Sequence, residues 1–191
     1  MAETDVWDAF RRGDRSAFAQ LYFDHYEALL NYGRRFGLPP EPVEDAIQDL
    51  FVELWHYRET TSATTSARFY LLRALRNQLS RHRRAQPFAS VDDDHLPFNV
   101  EFSFEQQWID ALDEQGQWQA LQQALNALTP RQREVLYLRF FNNLDYPQIA
   151  ETMQLSYQAA RNQVYLALKA LRERFPVNRI WLVALQTAIL P

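Results

Sequence analysis

The chain has no cysteine. Disulfides and thiolate-bound metals are therefore excluded, which fits a reducing, cytoplasmic compartment. Glycine is nearly as scarce, with four among 191 residues. Tight turns and strand hairpins draw heavily on glycine, so its scarcity favours helices over sheets. The four histidines, His25, His56, His82 and His95, are scattered, and no two stand four apart as a helical metal pair would. No apolar run approaches the roughly 20 residues that cross a bilayer. The opening residues MAETDVWDAFRRGD are polar and acidic, unlike a secretory signal. Nor is there a P-loop, a glycine-rich dinucleotide turn, a nucleophile elbow or a paired-histidine motif. No enzymatic activity, cofactor, metal or small-molecule substrate is expected.

What is present points to a folded helical protein. Apolar residues make up 47% of the chain, with 13 Phe, 9 Tyr and 5 Trp, enough to build a core and to argue against wholesale disorder. The length suits one ordinary domain or two small ones. The net charge of -4 conceals segregation. Residues 60–91 carry six arginines and no acid, whereas residues 92–114 carry eight acids and neither Lys nor Arg. Blocks of opposite sign can serve different partners, and their separation says more than their sum.

Residues 5–36 read as helical, with Phe18, Leu21, Tyr22, Ala28, Leu29, Tyr32 and Phe36 recurring at steps of three and four. Gly37-Leu38-Pro39-Pro40 breaks the pattern. A second helix begins near Glu41-Pro42 and buries Val43, Ala46, Ile47, Leu50, Phe51 and Leu54. Its other face carries Glu44, Asp45, Gln48, Asp49 and Glu53, which a solvated surface with first-turn acids would also explain. The polar, β-branched run Thr60–Ser66 is a poor helix former and reads as a loop. A basic helix follows from Ala67 to Arg84. Phe69, Leu72, Leu75 and Leu79 line one side, and Arg73, Arg76, Asn77, Ser80, Arg83 and Arg84 fall largely on another. Residues 86 to about 116 lack periodicity and read as an acidic tether.

Beyond it, Trp118, Leu121, Ala124, Leu125 and Leu128 share a helical face. Thr129-Pro130-Arg131-Gln132 has the layout of a capping box before a helix spanning Arg131–Phe141. Asp145 with Gln148 three later marks another start, for a helix Tyr146–Met153. Ser156 caps a last helix, Tyr157–Phe175. Two turns of helix, a short connection at Gln154-Leu155 and a longer helix make helix-turn-helix spacing. Ala160, Val164, Leu168, Leu171 and Phe175 form the inner stripe of the longer helix, against Ile149, Ala150 and Met153. Gln158, Arg161, Asn162 and Tyr165 face outward. Arg can fork to guanine, Asn and Gln can pair with adenine, and the helix start with Ser156 can hold phosphate. An ordinary helical hairpin with a polar face is the competing reading. The connection carries Gln154 where glycine usually turns the chain left-handed.

Ala127–Val135 (ALTPRQREV) resembles the "L-P-x-x-x-R-x-V" entry to the fourth conserved region of extracytoplasmic-function (ECF) sigma factors, and LDYPQIAETMQLSYQAARNQVYLALKALRERF is similar to the rest of that region. SYQAARNQVYLALKALR is similar to the Bacteroidetes branch. Independently, Asp45-Ala46-Ile47-Gln48-Asp49-Leu50-Phe51 with Trp55 resembles the family's polymerase-binding helix, "D-L-x-Q-E-x-F…W". Tyr70–Asn77 followed by Arg81–Arg84 resembles its promoter-melting helix. The matches cover roughly residues 8–85 and 117–175.

The resemblance implies an all-α protein of two small helical domains. Residues 1–86 would bind core RNA polymerase and the minus-ten element, 87–116 would be the acidic linker, 117–176 would bind the minus-thirty-five element, and 177–191 would be an apolar tail. Asp45, Gln48, Asp49 and Glu53 would meet a basic coiled coil of the polymerase. Arg68, Arg73, Arg76, Asn77, Ser80, Arg81, Arg83 and Arg84 would hold the melted minus-ten strand, with the Thr60–Ser66 loop receiving a flipped base and Phe69 or Tyr70 available to stack on one. Ser156, Gln158, Arg161, Asn162 and Tyr165 would read the upstream element in the major groove. The linker's charge would mimic nucleic acid in the polymerase's RNA channel. The tail would pack on the second domain or meet a partner such as an anti-sigma factor. A conventional regulator would instead need a sensory domain in residues 1–115, which the helical pattern and the arginine run oppose. An all-helical interaction module without a DNA role is the other alternative.

Overall fold

The computed structural model describes residues 3–84, 97–99 and 122–174, and every regular element among them is helical, with no strand. The chain divides into two compact units, Met1–Asp93 and Asp94–Pro191.

The first unit holds α1 (Glu3–Arg11), α2 (Arg15–Arg34), α3 (Pro40–His56) and α4 (Ala67–Arg84). The apolar periodicity predicts one helical stretch over 5–36, but the structure breaks it between Arg11 and Arg15. Gly13 takes φ +91°, a left-handed conformation open to glycine. Asp14 then caps α2, its carboxylate accepting from the Ser16 and Ala17 amides at 2.8 and 3.1 Å. The Ser16 hydroxyl donates to the same oxygen, and these bonds, the hydroxyl's foremost, hold the Asp14 carboxyl below its ordinary value. The three-four repeat continues on either side of the turn, which is why periodicity hides it.

α3 buries all six expected residues, Val43, Ala46, Ile47, Leu50, Phe51 and Leu54. α2 contributes Ala17, Leu21, Leu29, Leu30 and Tyr32, α4 contributes Ala67, Leu71, Leu72, Leu75 and Leu79, and α1 adds Val6, Trp7 and Phe10. Each large apolar side chain so buried contributes about 1.5–3 kcal/mol before ordering costs. An aromatic seam joins α2 to α3: the Phe18 ring lies 4.9 Å from Trp55 and 5.9 Å from Phe51, and Tyr22 lies 5.0 Å from Phe51.

Gly33 sets how closely α2 and α3 approach. A methyl group at this position would overlap the side chain of Val43, which is itself fully buried. Alanine is the better helix former by about 1 kcal/mol. Overpacking a stiff, β-branched neighbour costs about 1–3 kcal/mol, so the clash wins. Gly33→Ala is expected to lower the denaturant midpoint at an unchanged slope. A rise in the midpoint would show that Val43 yields freely.

In the second unit, residues 122–126 are helical, followed by α5 (Pro130–Phe140), α6 (Tyr146–Thr152) and α7 (Tyr157–Arg174). Capping boxes form at both expected helix starts: Thr129 with Gln132 opens α5, and Asp145 with Gln148 opens α6. Asn143, at φ +58°, turns the chain after α5, a conformation Asn tolerates better than most residues. The core draws on Ala124, Leu125, Leu128, Val135, Leu136, Leu138, Leu144, Ile149, Ala150, Met153, Ala160, Val164 and Ala167. Ala167 takes the inward place expected of Leu168, which is half-buried like Leu171.

Of the stretch 87–116, only residues 97–99 are described. Phe98 is fully buried, its ring 5.7 Å from that of Tyr137 in α5, so this part of the acidic stretch carries a packing contact. The remainder of that stretch, the helix start expected at 117–121, Phe175 and the tail 177–191 lie outside the described residues.

Candidate nucleic-acid interface

α7 has two faces. Ala160, Val164 and Ala167 are buried, while Gln158, Arg161, Asn162 and Tyr165 are exposed. Steps of three and four place these four residues on one surface. Tyr165 is 63% exposed, too much for a core aromatic, and the Arg161 guanidinium lies 5.8 Å over the Tyr157 ring. The exposed Ser156 caps the helix, its hydroxyl oxygen accepting from the Ala159 amide at 3.1 Å.

The angle between α6 and α7 is set by the connection. Gln154 adopts φ +55°, the left-handed conformation expected there, at a cost of roughly 1–2 kcal/mol for a non-glycine residue. The Leu155 amide closes the turn onto the Ala150 carbonyl at 2.8 Å. Arg139 braces the start of α6: it donates to the Leu144 carbonyl at 2.9 Å and lies 5.3 Å over the Tyr146 ring. Tyr146 in turn meets Tyr157 edge-on at 6.3 Å. Nothing in the spacing of single residues announces this brace.

On α4, Arg73 and Arg81 are exposed, and Arg68, Asn77 and Arg83 are half-buried. Arg84 ends the helix, and its side chain lies outside the described residues. Arg76 and Ser80 require a correction. Both were expected on the basic surface, and both are buried, at 3% and 5% exposure. α4 packs against α1, α2 and α3, so its inner stripe is wider than a single row of leucines, and the column Leu72, Arg76, Ser80 turns inward with it.

On α3, Asp45, Gln48, Asp49 and Glu53 are all exposed. The Gln78 amide of α4 donates to Glu53 at 3.3 Å, tying the end of this ridge to the first unit's own surface. Val52, between the acids, is 69% exposed. The ridge thus carries an apolar side chain with its carboxylates, which the pattern of acids does not reveal.

Between α3 and α4 the loop is held by its own hydroxyls. Thr60 and Thr61 donate side-chain and backbone hydrogens to the Tyr57 carbonyl. At the far end, the Ser66 hydroxyl accepts from the Phe69 amide. Phe69 and Tyr70 are half-buried, and the Tyr70 ring lies 5.0 Å from Trp7. Among the described residues, no group of three or more His, Asp or Glu side chains could hold a metal ion, and no helix is long and apolar enough to cross a membrane.

The first unit thus carries an acidic ridge on α3 and arginines on α4, and the second an exposed polar face on α7; the chain has the following similarities. Residues 21–87 match sigma-70 region 2, and residues 118–171 match sigma-70 region 4. The chain is 27% identical over 173 residues to the RNA polymerase sigma factor NccH of Alcaligenes xylosoxydans xylosoxydans, covering 86% of this chain and 91% of that one. It is 30% identical over 168 residues to the RNA polymerase sigma factor CnrH of Cupriavidus metallidurans, covering 80% and 83%. The structure of CnrH, solved in complex with the cytosolic domain of CnrY, has a similar fold, with a TM-score of 0.59 at 22% identity over 91% of this chain and 96% of that one. The chain belongs to the RNA polymerase sigma factors, of the ECF type.

Proposed function

We propose that three surfaces share the work of directing core polymerase to specific promoters at transcription initiation. The ridge Asp45, Gln48, Asp49 and Glu53 binds the polymerase. Arg68, Arg73, Asn77, Arg81, Arg83 and Arg84 hold the minus-ten strand as it melts, with the Thr60–Ser66 loop receiving a base. Ser156, Gln158, Arg161, Asn162 and Tyr165 read the minus-thirty-five element. Arg76 and Ser80 are left out because they are buried. The observation that carries this reading is the exposed face of α7, where a guanidinium and two carboxamides, the groups that pair bidentately with guanine and adenine, share one surface opposite a buried stripe.

The domains proposed are residues 1–86 and 117–176, with 87–116 as the acidic linker that passes through the polymerase's RNA channel. The chain resembles the Bacteroidetes branch in SYQAARNQVYLALKALR, acts in the cytoplasm and catalyses nothing itself. CnrH was solved with a protein partner, and the similarly folded sigma factor RpoE of Bartonella quintana with the anti-sigma factor NepR; an anti-sigma partner is proposed for this chain by that analogy. Each DNA-binding surface is small, and joining them raises the effective concentration at the second site.

Transcription from a genomic promoter library with core polymerase tests the reading. Adding the chain is expected to yield defined start sites preceded by two common elements, while the isolated chain binds the same DNA weakly. Tight, sequence-specific binding without polymerase would favour a conventional regulator.

A further inference from the structure

The loop between α3 and α4 is fixed at its ends by its own side chains, but its middle is held by a helix distant in sequence. Arg11 Nε of α1 donates to the Thr61 carbonyl at 2.8 Å, and Trp7 Nε1 donates to the Ser62 carbonyl at 3.1 Å. Two consecutive peptide carbonyls are thus held from one side. The side chains of Ser62, Ala63 and Thr65 are exposed.

Of the two donors, Trp7 is held by the core and Arg11 by a surface contact. Trp7 is fully buried, with its ring 5.3 Å from Phe10 and 5.0 Å from Tyr70 at the start of α4. Asp8 lies 3.5 Å from the Arg11 guanidinium across one turn of α1. α1 lies before the segment that matches sigma-70 region 2.

We propose that Trp7 and Arg11 are positioning residues for base capture by the 60–66 loop, fixing its backbone so that the exposed Ser62, Ala63 and Thr65 present one arrangement to the DNA. This rests on the reading that the loop receives a minus-ten base. A loop left to sample several arrangements would bind through only a fraction of them, and its apparent affinity for the captured base would fall by that fraction. The polymerase ridge and α7 would be untouched.

The test uses the full chain with core polymerase and a set of promoters changed one base at a time through both elements. Arg11→Ala and, separately, Trp7→Phe, which removes the N–H donor while keeping an aromatic ring, are compared with a loop variant carrying Ser62→Ala and Thr65→Ala. Amide exchange of residues 62–65 is followed in each. Losing one hydrogen bond is expected to flatten base preference at one minus-ten position roughly fivefold and to speed loop exchange by a similar factor. Preference at the upstream element and affinity for polymerase should stay as in the parent chain.

If the loop variant alters minus-ten preference while Arg11→Ala and Trp7→Phe leave both preference and loop exchange unchanged, the positioning role is wrong and the loop reading stands. If the loop variant has no effect either, the loop reading fails and the positioning role fails with it. An equal loss at every promoter position would indicate general destabilisation and would also overturn the proposal. Should Arg11→Ala not fold, Trp7→Phe decides by the same criteria.

Discussion

Reversing charge on the α3 ridge, as Asp45→Arg with Asp49→Arg, is expected to abolish stable association with core polymerase while the helical units stay folded. Both positions are exposed and one turn apart, and arginine is a good helix former. Surface changes of this kind usually alter stability by no more than about 0.5 kcal/mol. At an interface the same exchange places like charges together, which costs several kcal/mol, or about 100-fold or more in Kd. Titration of labelled polymerase against parent and variant, with circular dichroism as the folding control, measures both effects. Undiminished affinity would return these acids to the status of a solvated face. Glu53 should matter less than its two neighbours, because the Gln78 amide already occupies one of its oxygens.

The second large effect is expected at α7. Arg161→Ala with Asn162→Ala should reduce discrimination at the upstream element and leave polymerase affinity unchanged. A bidentate side-chain–base pair contributes about 1–3 kcal/mol of discrimination. Loss of one such pair therefore lowers the preference for the correct base roughly 5- to 150-fold at its position. The distinction from simple charge loss lies in the pattern. Removing a phosphate contact weakens every promoter alike and makes binding less sensitive to salt, whereas removing a base contact levels one position. Transcription from promoters substituted singly through that element separates the two.

The parts of the fold legible in the sequence were those set by local chemistry. The α3 stripe is a clean three-four repeat, and Thr129, Asp145 and Ser156 each stand where a helix start lacks amide partners. Gln154 takes the left-handed conformation that this position of a helix-turn-helix connection requires. What escaped was set by neighbours distant in sequence. Arg76 and Ser80 sit on the polar side of an isolated helix, and only packing of α4 against three other helices turns them inward. The Gly13 break escaped because apolar steps continue beyond it. Trp7 and Arg11 read as ordinary residues of a short amphipathic helix, and their bonds to the loop span 55 and 50 residues. Phe98 stands in a stretch without periodicity, and one buried ring leaves no pattern.

For the site, residue types and faces were legible at α3 and α7, where the surface follows directly from helical phase. On α4 the phase was only half informative, since the helix buries a wider arc. The exposed Val52 leaves no mark in a pattern of charges, because a single apolar residue among acids does not change it.

The central claim is that one carboxylate ridge holds protein while two other surfaces hold two separate stretches of DNA. The most direct measurement places a photo-crosslinking residue singly at Asp49, Arg73 and Arg161 in the assembled polymerase–promoter complex and maps what each captures. The expected result is a polymerase subunit from position 49, minus-ten DNA from position 73 and minus-thirty-five DNA from position 161. Capture of DNA from position 49, or of the same stretch of DNA from both 73 and 161, would contradict it.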